Sequence, residues 1–210
     1  MNEKEKYQLE KGKKLPIMED FFTIQGEGFF AGTPAYFIRI GGCDVGCHWC
    51  DVKESWDFNA HKLVSIGNVI NNLKQFDVNT VVITGGEPLI YNLDQLCNEL
   101  KKSDYQLHLE TSGAYSLSGK WNWICLSPKK NQPPIEEIVK KADELKVIIH
   151  NNDDFKWAEK YAQQVSKDCR LYLQPEWSKK EQMMQKIVVY TQSNPKWTVS
   201  LQIHKYMGIP

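Results

Sequence analysis

The sequence predicts a single-domain α/β protein built as a partial β/α barrel. Three observations lead to this prediction. Short β-branched runs alternate with segments of helical apolar spacing along most of the chain, a pattern that favours parallel β/α units. Polar side chains follow the apolar runs, at the strand ends where barrel enzymes carry their sites. The chain has 210 residues, too few for eight full units, so we expect an open, incomplete barrel.

The balance of charge limits the classes of partner. Lys plus Arg and Asp plus Glu both number 26, so the formal net charge is zero. A broad nucleic-acid surface needs an excess of basic residues on one face, and the balance argues against it. No apolar run approaches about 18 residues, and the Lys/Glu-rich start does not resemble a signal peptide. We therefore expect a cytoplasmic protein without membrane contact, with a flexible segment at residues 1–15 and one domain at residues 16–210.

The first half of the chain sets up two strands and a loop. The apolar run at 17–24 leads into a loop with Gly26 and Gly28, where glycine lets the backbone approach a ligand closely; an ordinary turn is the alternative. The strand predicted at 35–40 carries Arg39, which needs either a structural acid or a ligand carboxylate as its partner. Periodicity and capping then predict a helix at 63–76, a buried strand at 80–84 and an Asn92-capped helix at 92–100.

The same alternation repeats in the second half of the chain. Helices are predicted at 134–142, 153–165 and 180–190. Strands are predicted at 107–113, 123–129, 144–150 and 170–175, and the segment 199–205 closes the chain. Because the carboxyl ends of parallel strands share one edge, we expect the polar residues at these ends to meet there.

Three cysteines follow the strand at 35–40. Cys43, Cys47 and Cys50 have the spacing C-x3-C-x2-C, and on so short a loop their sulfurs must converge on a common centre. Three thiolates suit an iron–sulfur cluster and leave one iron of a 4Fe–4S cluster without a protein ligand. A structural zinc ion normally takes four ligands, and the other cysteines stand alone in sequence. The spacing by itself leaves zinc, or a chance grouping of core cysteines, as alternatives.

This loop, with Trp49 before its last cysteine, resembles that of the radical S-adenosylmethionine (radical SAM) enzymes. A second motif, Gly85-Gly86-Glu87-Pro88, matches the stretch that lines the methionine end of the cofactor in that superfamily. There, S-adenosylmethionine (SAM) binds the free iron, and one electron cleaves it to a 5′-deoxyadenosyl radical that abstracts hydrogen from the substrate. The resemblance implies a 4Fe–4S cluster, bound SAM and a barrel of the radical SAM type.

Further motifs resemble the 7-carboxy-7-deazaguanine synthases within this superfamily, from about Ile17 to the C terminus. They are Thr23-Ile-Gln-Gly-Glu-Gly28, Phe37-Ile-Arg39, Trp49-Cys50-Asp51, Glu110-Thr-Ser-Gly113, Ser127-Pro-Lys129, Gln174-Pro175 and His204-Lys-Tyr206. That family converts 6-carboxy-5,6,7,8-tetrahydropterin to 7-carboxy-7-deazaguanine with loss of ammonia, a step towards queuosine-type nucleosides of transfer RNA. The resemblance implies a homodimer with a truncated barrel and a flavodoxin-type electron donor.

The resemblance also implies roles for individual residues. Cys43, Cys47 and Cys50 would hold the cluster. The expected SAM contacts are Trp49, Gly86, Glu87, Thr111, Ser112, Ser127, Pro128, Lys129 and Gln174. The expected contacts to the pterin substrate are Ile24, Gln25, Gly26, Arg39, Thr84, Glu110 and Pro210. The chemistry fits, since a guanidinium suits the substrate carboxylate, and an amide and a carboxylate suit the donor edge of a pterin.

One position departs from the family pattern. The family usually places Thr or Ser two residues after the third cysteine, where the hydroxyl helps to hold Mg²⁺ against the substrate. Here that residue is Val52, and its side chain offers none of the oxygen ligands that Mg²⁺ needs. The sequence leaves three alternatives: the ion is lost, water and substrate hold it, or Asp51 or Ser55 substitutes.

Two other functions match parts of the pattern. A glycyl-radical-enzyme activase shares the cysteine loop but acts on a protein backbone. A zinc-stabilised module associated with RNA is the non-enzymatic alternative. The stretch Gln25-Gly-Glu-Gly28 and the His-Lys-Tyr terminus favour a small-molecule enzyme. Balanced charge and the missing fourth ligand count against the zinc module.

Overall fold

A nine-stranded sheet dominates the computed structural model, which describes residues 3–210. Its strands are β1 (Lys14–Ile24), β2 (Pro34–Ile40), β3 (Leu63–Ser65), β4 (Thr80–Gly85), β5 (Gln106–Thr111), β6 (Trp123–Leu126), β7 (Glu144–Ile149), β8 (Arg170–Pro175) and β9 (Trp197–Val199). Their order in the sheet is β3-β1-β2-β4-β5-β6-β7-β8-β9. β1 is antiparallel to both of its neighbours, and every pair from β2 to β9 is parallel.

The sheet is an open barrel, as predicted. Within the described residues its edge strands, β3 and β9, do not pair with each other. The gap leaves one side of the barrel to be covered by loops and by the C-terminal segment. The predicted partial β/α barrel is therefore confirmed.

Helices cover the outer face of the sheet. They are α1 (Glu3–Glu10), α2 (Ile66–Leu73), α3 (Asp94–Lys101), α4 (Glu136–Lys141), α5 (Asp153–Ala162), α6 (Lys180–Ser193) and α7 (Ile203–Met207). In β5, Leu107 and Leu109 are fully buried in the same core as Leu96 and Leu100 of α3. Because side chains alternate along a strand, Glu110, which follows Leu109, points the other way, into the barrel. Strand periodicity thus places one residue in two towards the interior.

The predicted helix at 63–76 divides into a strand and a helix. Leu63 to Ser65 form β3, which pairs with the start of β1. Ser65 then caps α2, and its hydroxyl accepts a hydrogen bond from the backbone N–H of Asn68 at 3.3 Å. The apolar spacing could not separate a three-residue strand from a first helical turn, because a short apolar run satisfies both periods.

Other predicted elements also have different boundaries, and α3 and the closing segment are two examples. α3 begins at Asp94, and Leu93 rather than Asn92 is its N-terminal cap. The Asn92 side chain instead accepts from the backbone N–H of Asp94 at 2.9 Å, closing a local turn. The closing segment at 199–205 contains the end of β9 and the start of α7.

The N-terminal segment predicted to be flexible contains regular structure where it is described. Residues 3–10 form α1, none of whose residues is buried, and Leu15 of β1 is fully buried. Residues 1 and 2 of that segment lie outside the described residues. The division into residues 1–15 and 16–210 stays a prediction. In the described chain, no helix has the length and apolar character needed to cross a membrane.

Candidate active site

A cavity of about 270 Å³ opens at the carboxyl ends of the parallel strands. It is lined by every predicted site residue except Pro128, whose carbonyl accepts a hydrogen bond from Trp157 at 3.4 Å. The predicted residues in its wall are Ile24, Gln25, Gly26, Arg39, Cys43, Cys47, Trp49, Cys50, Thr84, Gly86, Glu87, Glu110, Thr111, Ser112, Ser127, Lys129, Gln174 and Pro210. The fold thus gathers residues that are up to 186 positions apart, from Ile24 to Pro210.

The three-cysteine loop forms one wall of the cavity. All three thiols are half-buried and free of disulfide bonds. Burial raises the pKa of Cys43 to about 11 and also raises the pKa of Cys47, although the nearby ammonium of Lys129 opposes the second shift. Metals bind the thiolate form of cysteine, so binding of a metal or a cluster to this loop must release protons from the thiols.

Contacts from neighbouring loops hold the backbone of the cysteine loop. Asn131 donates its side-chain N–H to the carbonyl of Gly46 at 2.7 Å. The Tyr115 hydroxyl donates to the carboxylate of Asp44. On the far side, the backbone N–H of Gly42 donates to the carbonyl of Ser55 at 2.6 Å. The loop is therefore fixed at several points before any cofactor binds.

The arrangement fits a cluster better than a single metal ion. In the part of the chain described, no three His, Cys, Asp or Glu side chains converge as one ion would require. A cluster has a different requirement, because each ligated iron takes its own thiolate. Three cysteines on one loop beside an open cavity satisfy it.

The Gly-Gly-Glu-Pro stretch packs directly against the cysteine loop. A Cβ atom at Gly86 would lie 2.3 Å from the carbonyl oxygen of Gly42, so no larger residue fits there. Gly85 has φ of 131°, a backbone conformation that favours glycine. The backbone N–H of Glu87 donates to that same Gly42 carbonyl at 3.0 Å. The glycines are needed for this close approach.

The Glu87 carboxylate is buried and held by four hydrogen bonds. Its Oε1 accepts from the Thr111 hydroxyl at 2.6 Å and from the backbone N–H of Leu89 at 3.1 Å. Its Oε2 accepts from the backbone N–H and the hydroxyl of Ser112 at 2.7 and 2.5 Å. The side chain is thus oriented at the cavity wall by residues that follow β4 and end β5.

Lys129 supplies a cation to the same cavity wall. Lys129 donates to the Ser127 hydroxyl at 2.5 Å, and its ammonium lies 5.4 Å from the centre of the Trp49 ring. Burial lowers the pKa of Lys129, although the nearby Cys47 thiol opposes that shift. The contact joins the loop after β6 to the residue that precedes Cys50.

The barrel interior below the cysteine loop is strongly polar. Glu110 accepts from the side-chain amide of Gln25 at 3.0 Å and from the Thr84 hydroxyl at 3.0 Å. Arg39 has a structural acid as its partner, since its Nη1 lies 2.5 Å from Oε1 of Glu19. A guanidinium has five N–H donors, so this contact leaves others for a ligand.

The comparisons with known proteins agree with this geometry. The radical SAM superfamily model matches residues 37–118. A 7-carboxy-7-deazaguanine synthase of Flavobacterium psychrophilum is 55% identical over 96% of both chains. One of Synechocystis is 48% identical over 92% of this chain and 93% of its own.

The chain belongs to the 7-carboxy-7-deazaguanine synthase family. The crystal structure of QueE from Escherichia coli supports this assignment, with a TM-score of 0.79 and 27% identity over 95% of this chain and 99% of that one. Membership favours the synthase over the activase and the zinc module that the sequence motifs had left open. It also implies a 4Fe–4S cluster and SAM as cofactors of this synthase-family chain.

Sequence reasoning missed an ion pair in the cavity of this family member. The ammonium of Lys146 lies 2.5 Å from the carboxylate of Glu27, which also accepts from Gln202 at 2.8 Å. Burial raises the pKa of Glu27, but Lys146 and the hydrogen bonds prevail and hold it at about 2. The sequence did offer one indication of this pair. Lys146 follows Glu144 by two residues in an otherwise apolar strand, so the two charged side chains lie on the same, inner face.

The C-terminal segment closes the open side of the barrel. The backbone N–H of Ile203 donates to the carbonyl of Gly26 at 2.9 Å, and a Cβ atom at Gly26 would collide with His204 at 2.0 Å. Lys205 lies 2.5 Å from the carboxylate of Asp51, next to the third cysteine of the loop. These contacts bring Pro210 to the rim of the cavity.

The residues near Val52 do not fit a magnesium site. Val52 offers no side-chain oxygen, and the hydroxyl of Ser55 donates to the Val52 carbonyl at 2.6 Å. Asp51 is already paired with Lys205 and accepts from Gln202 at 3.4 Å. Mg²⁺ needs a near-octahedral set of oxygen ligands, and these side chains offer it at most one carboxylate, that of Asp51, whose Oδ2 already accepts from Lys205 and Gln202.

Proposed function

We propose that the chain is a 7-carboxy-7-deazaguanine synthase, acting on 6-carboxy-5,6,7,8-tetrahydropterin with ring contraction and loss of ammonia. The observation that carries the proposal is the shared cavity. It joins the three-cysteine loop, the Glu87 carboxylate and the Gln25–Glu110 pair in a chain with synthase relatives along nearly its whole length. The product is an acid of the deazapurine class, suited to the synthesis of queuosine-type nucleosides.

The part of the cavity beside the cysteine loop would hold the cofactors. Cys43, Cys47 and Cys50 would hold the cluster, and the predicted contacts around Glu87 and Lys129 would hold SAM. Together these groups supply, when bound, the radical that abstracts hydrogen from the substrate. The chain's own contribution is orientation. The carboxylate of Glu87 is fixed by Thr111 and Ser112, so its negative charge would attract the cofactor ammonium from a set position with little reordering.

The lower part of the cavity holds the pterin acid. Arg39 binds the substrate carboxylate through the donors that Glu19 leaves unused. Gln25 and Glu110 bind the donor edge of the ring, and Thr84 keeps the Glu110 carboxylate in place. Ile24, Gly26 and the terminal carboxylate of Pro210 complete the predicted contacts.

Mg²⁺ has no ligand from the protein in this proposal. The support is chemical, because Val52 lacks oxygen and Asp51 and Ser55 already have partners. The charge of the substrate carboxylate is met by the guanidinium of Arg39 instead.

The proposal includes a second copy of the chain and a flavodoxin-type donor. Phe22 and Phe76 stack at 5.4 Å and are 41% and 40% exposed, which suits a subunit contact. Near the cavity mouth, the ammonium groups of Lys180 and Lys205 lie 4.4 and 4.8 Å from the Trp177 ring. Lys205 is already paired with Asp51, so Lys180 is the cation that an acidic electron-transfer protein would meet there.

The substrate class is tested by comparing two reduced pterins under anaerobic conditions. Reconstituted protein with SAM and reductant is given 6-carboxytetrahydropterin or the 6-hydroxymethyl analogue, and products are identified by mass. We expect a deazapurine product from the acid alone, because only the acid offers Arg39 a carboxylate. Equal turnover of both pterins would contradict the proposed substrate. So would the absence of turnover with either pterin when the cluster is intact.

A further inference from the structure

Lys146 is a buried cation in the cavity wall that none of the roles above uses. Its side chain is 6% exposed, and it lies on β7 between Glu144 and Ile148, on the strand face that points into the barrel. An ammonium group is costly to bury unless its donors meet acceptors. Such a position calls for specific partners.

The protein provides hydrogen-bond acceptors for only some of the N–H donors of the Lys146 ammonium. Its Nζ donates to Oε2 of Glu27 at 2.5 Å, while Oε1 of Glu110 lies at 4.0 Å, too far for a hydrogen bond. An ammonium group has three N–H donors. Within residues 3–210, two of them have no hydrogen-bond acceptor, and Lys146 lines the cavity.

The neighbouring Glu110 offers the opposite chemistry. Each of its oxygens accepts one hydrogen bond, from Gln25 and from Thr84, and an ionised carboxylate can accept about four. An acceptor and a donor thus lie side by side, 4.0 Å apart. This pair is complementary to a planar ligand edge that presents N–H donors next to a carbonyl oxygen. The pyrimidinone half of a pterin has that edge.

We propose that Lys146 is a specificity-determining substrate residue, whose ammonium donates to the ring carbonyl beside the N–H edge that Glu110 binds. The inference rests on the proposed function and adds one contact to it. It explains why a cation is buried beside an acid that already has neutral partners. A ligand without the carbonyl would leave the Lys146 donors unpaired, and a buried unpaired donor is a strong basis for discrimination.

Glu27 is the positioning residue for this contact. Burial alone would favour a neutral lysine, but the Glu27 carboxylate prevails, and the pKa of Lys146 lies well above its usual value. The ion pair is neutral as a unit, so Glu110 remains free to accept from the substrate. Gln202 fixes the other oxygen of Glu27 at 2.8 Å.

The test measures ligand affinity in the reconstituted holoenzyme with SAM and without reductant, so that no turnover occurs. Anaerobic calorimetry gives the Kd of 6-carboxytetrahydropterin and of its 4-thioxo counterpart, which keeps the ring N–H groups that Glu110 binds but replaces the carbonyl oxygen with sulfur, a weak hydrogen-bond acceptor. The variants are Lys146→Met and, as a matched control, Lys102→Met on the exposed surface. Iron content and SAM affinity confirm that each variant is loaded.

We expect the wild-type protein to prefer the carbonyl acid by about tenfold or more. Lys146→Met should lose that preference because it binds only the carbonyl acid more weakly. Lys102→Met should keep the preference. If Lys146→Met bound both acids more weakly by the same factor, Lys146 would be only a counter-ion and the inference would be overturned. Unchanged affinity for both acids would overturn it as well.

The Kd values of the two acids can be compared in the wild-type protein even if Lys146→Met does not fold. Equal values in the wild-type protein would overturn the inference. Wild-type protein that binds neither acid would contradict the proposed function itself. The two failures are therefore distinguishable.

Discussion

Glu87 and Ser112 are joined by two hydrogen bonds across adjacent strand ends. Ser112 donates its backbone N–H at 2.7 Å and its hydroxyl at 2.5 Å to the same carboxylate oxygen. Glu87 follows β4 and Ser112 follows β5, and these strands pair in parallel. Ser112, at the end of the neighbouring strand, therefore holds the Glu87 carboxylate in place at the cavity wall proposed to bind SAM.

Replacing Glu87 with Gln should weaken SAM binding by about tenfold or more, since a charge-assisted contact is worth about 1.5–3 kcal/mol. The amide would also bring N–H groups towards the donors of Thr111 and Ser112. Calorimetry with reconstituted protein measures the affinity. Glu99→Gln, on the exposed surface of α3, is the matched control. Unchanged SAM affinity in Glu87→Gln would show that the carboxylate has only a structural role.

Cys47→Ala should abolish reductive cleavage of SAM, because two thiolates cannot replace three in holding the cluster. Iron, sulfide and 5′-deoxyadenosine are measured after anaerobic reconstitution. Cys169→Ala serves as control, since this cysteine is buried outside the cavity, and it should retain cleavage. Cleavage at the wild-type rate in Cys47→Ala would refute the cluster assignment.

Arg39→Ala should chiefly raise the KM for the carboxylated pterin, by about tenfold or more, because it removes a bidentate charge-assisted contact. Glu19→Gln removes only the structural partner of Arg39 and should raise KM by less than about threefold. Steady-state kinetics of both variants separate the two roles. If Glu19→Gln were as severe as Arg39→Ala with unaltered folding, the ion pair rather than the substrate contact would explain the loss.

Removal of Mg²⁺ should change turnover by less than about twofold, because Val52, Asp51 and Ser55 provide no free oxygen set. The assay adds chelator and then Mg²⁺, with cluster absorbance followed to exclude loss of iron. Val52→Thr restores a hydroxyl and should acquire stimulation by Mg²⁺. A large loss in the wild-type protein that Mg²⁺ reverses would return the ion to the mechanism.

The parts that could be predicted from sequence are those set by local chemistry. Strands such as β4 and β7 stand out as β-branched or aliphatic runs between polar ends, and their alternation with helices gives the barrel. The cysteine loop and Gly85–Pro88 are contiguous motifs, so their residue types alone indicate ligand binding. The length of the chain was enough to predict that the barrel is incomplete.

The parts that could not be predicted depend on contacts between distant residues. Glu27 and Lys146 are 119 positions apart, and Asp51 and Lys205 are 154 apart. A lone charge in a strand does not reveal its partner. The Glu19 partner of Arg39 illustrates this, because sequence reasoning could name the class of partner but not the residue. The exact starts of α2 and α3 depend on Ser65 and Leu93 as caps, which competing local hydrogen bonds obscure.

The most direct test of the proposed function is anaerobic turnover of the reconstituted protein with SAM, a reductant and 6-carboxytetrahydropterin. Product is identified by mass, and ammonia is measured in the same samples. We predict 7-carboxy-7-deazaguanine and ammonia in equal amounts, with neither formed by Cys47→Ala. Slow release of 5′-deoxyadenosine without the deazaguanine acid, from protein with an intact cluster, would contradict the proposed substrate.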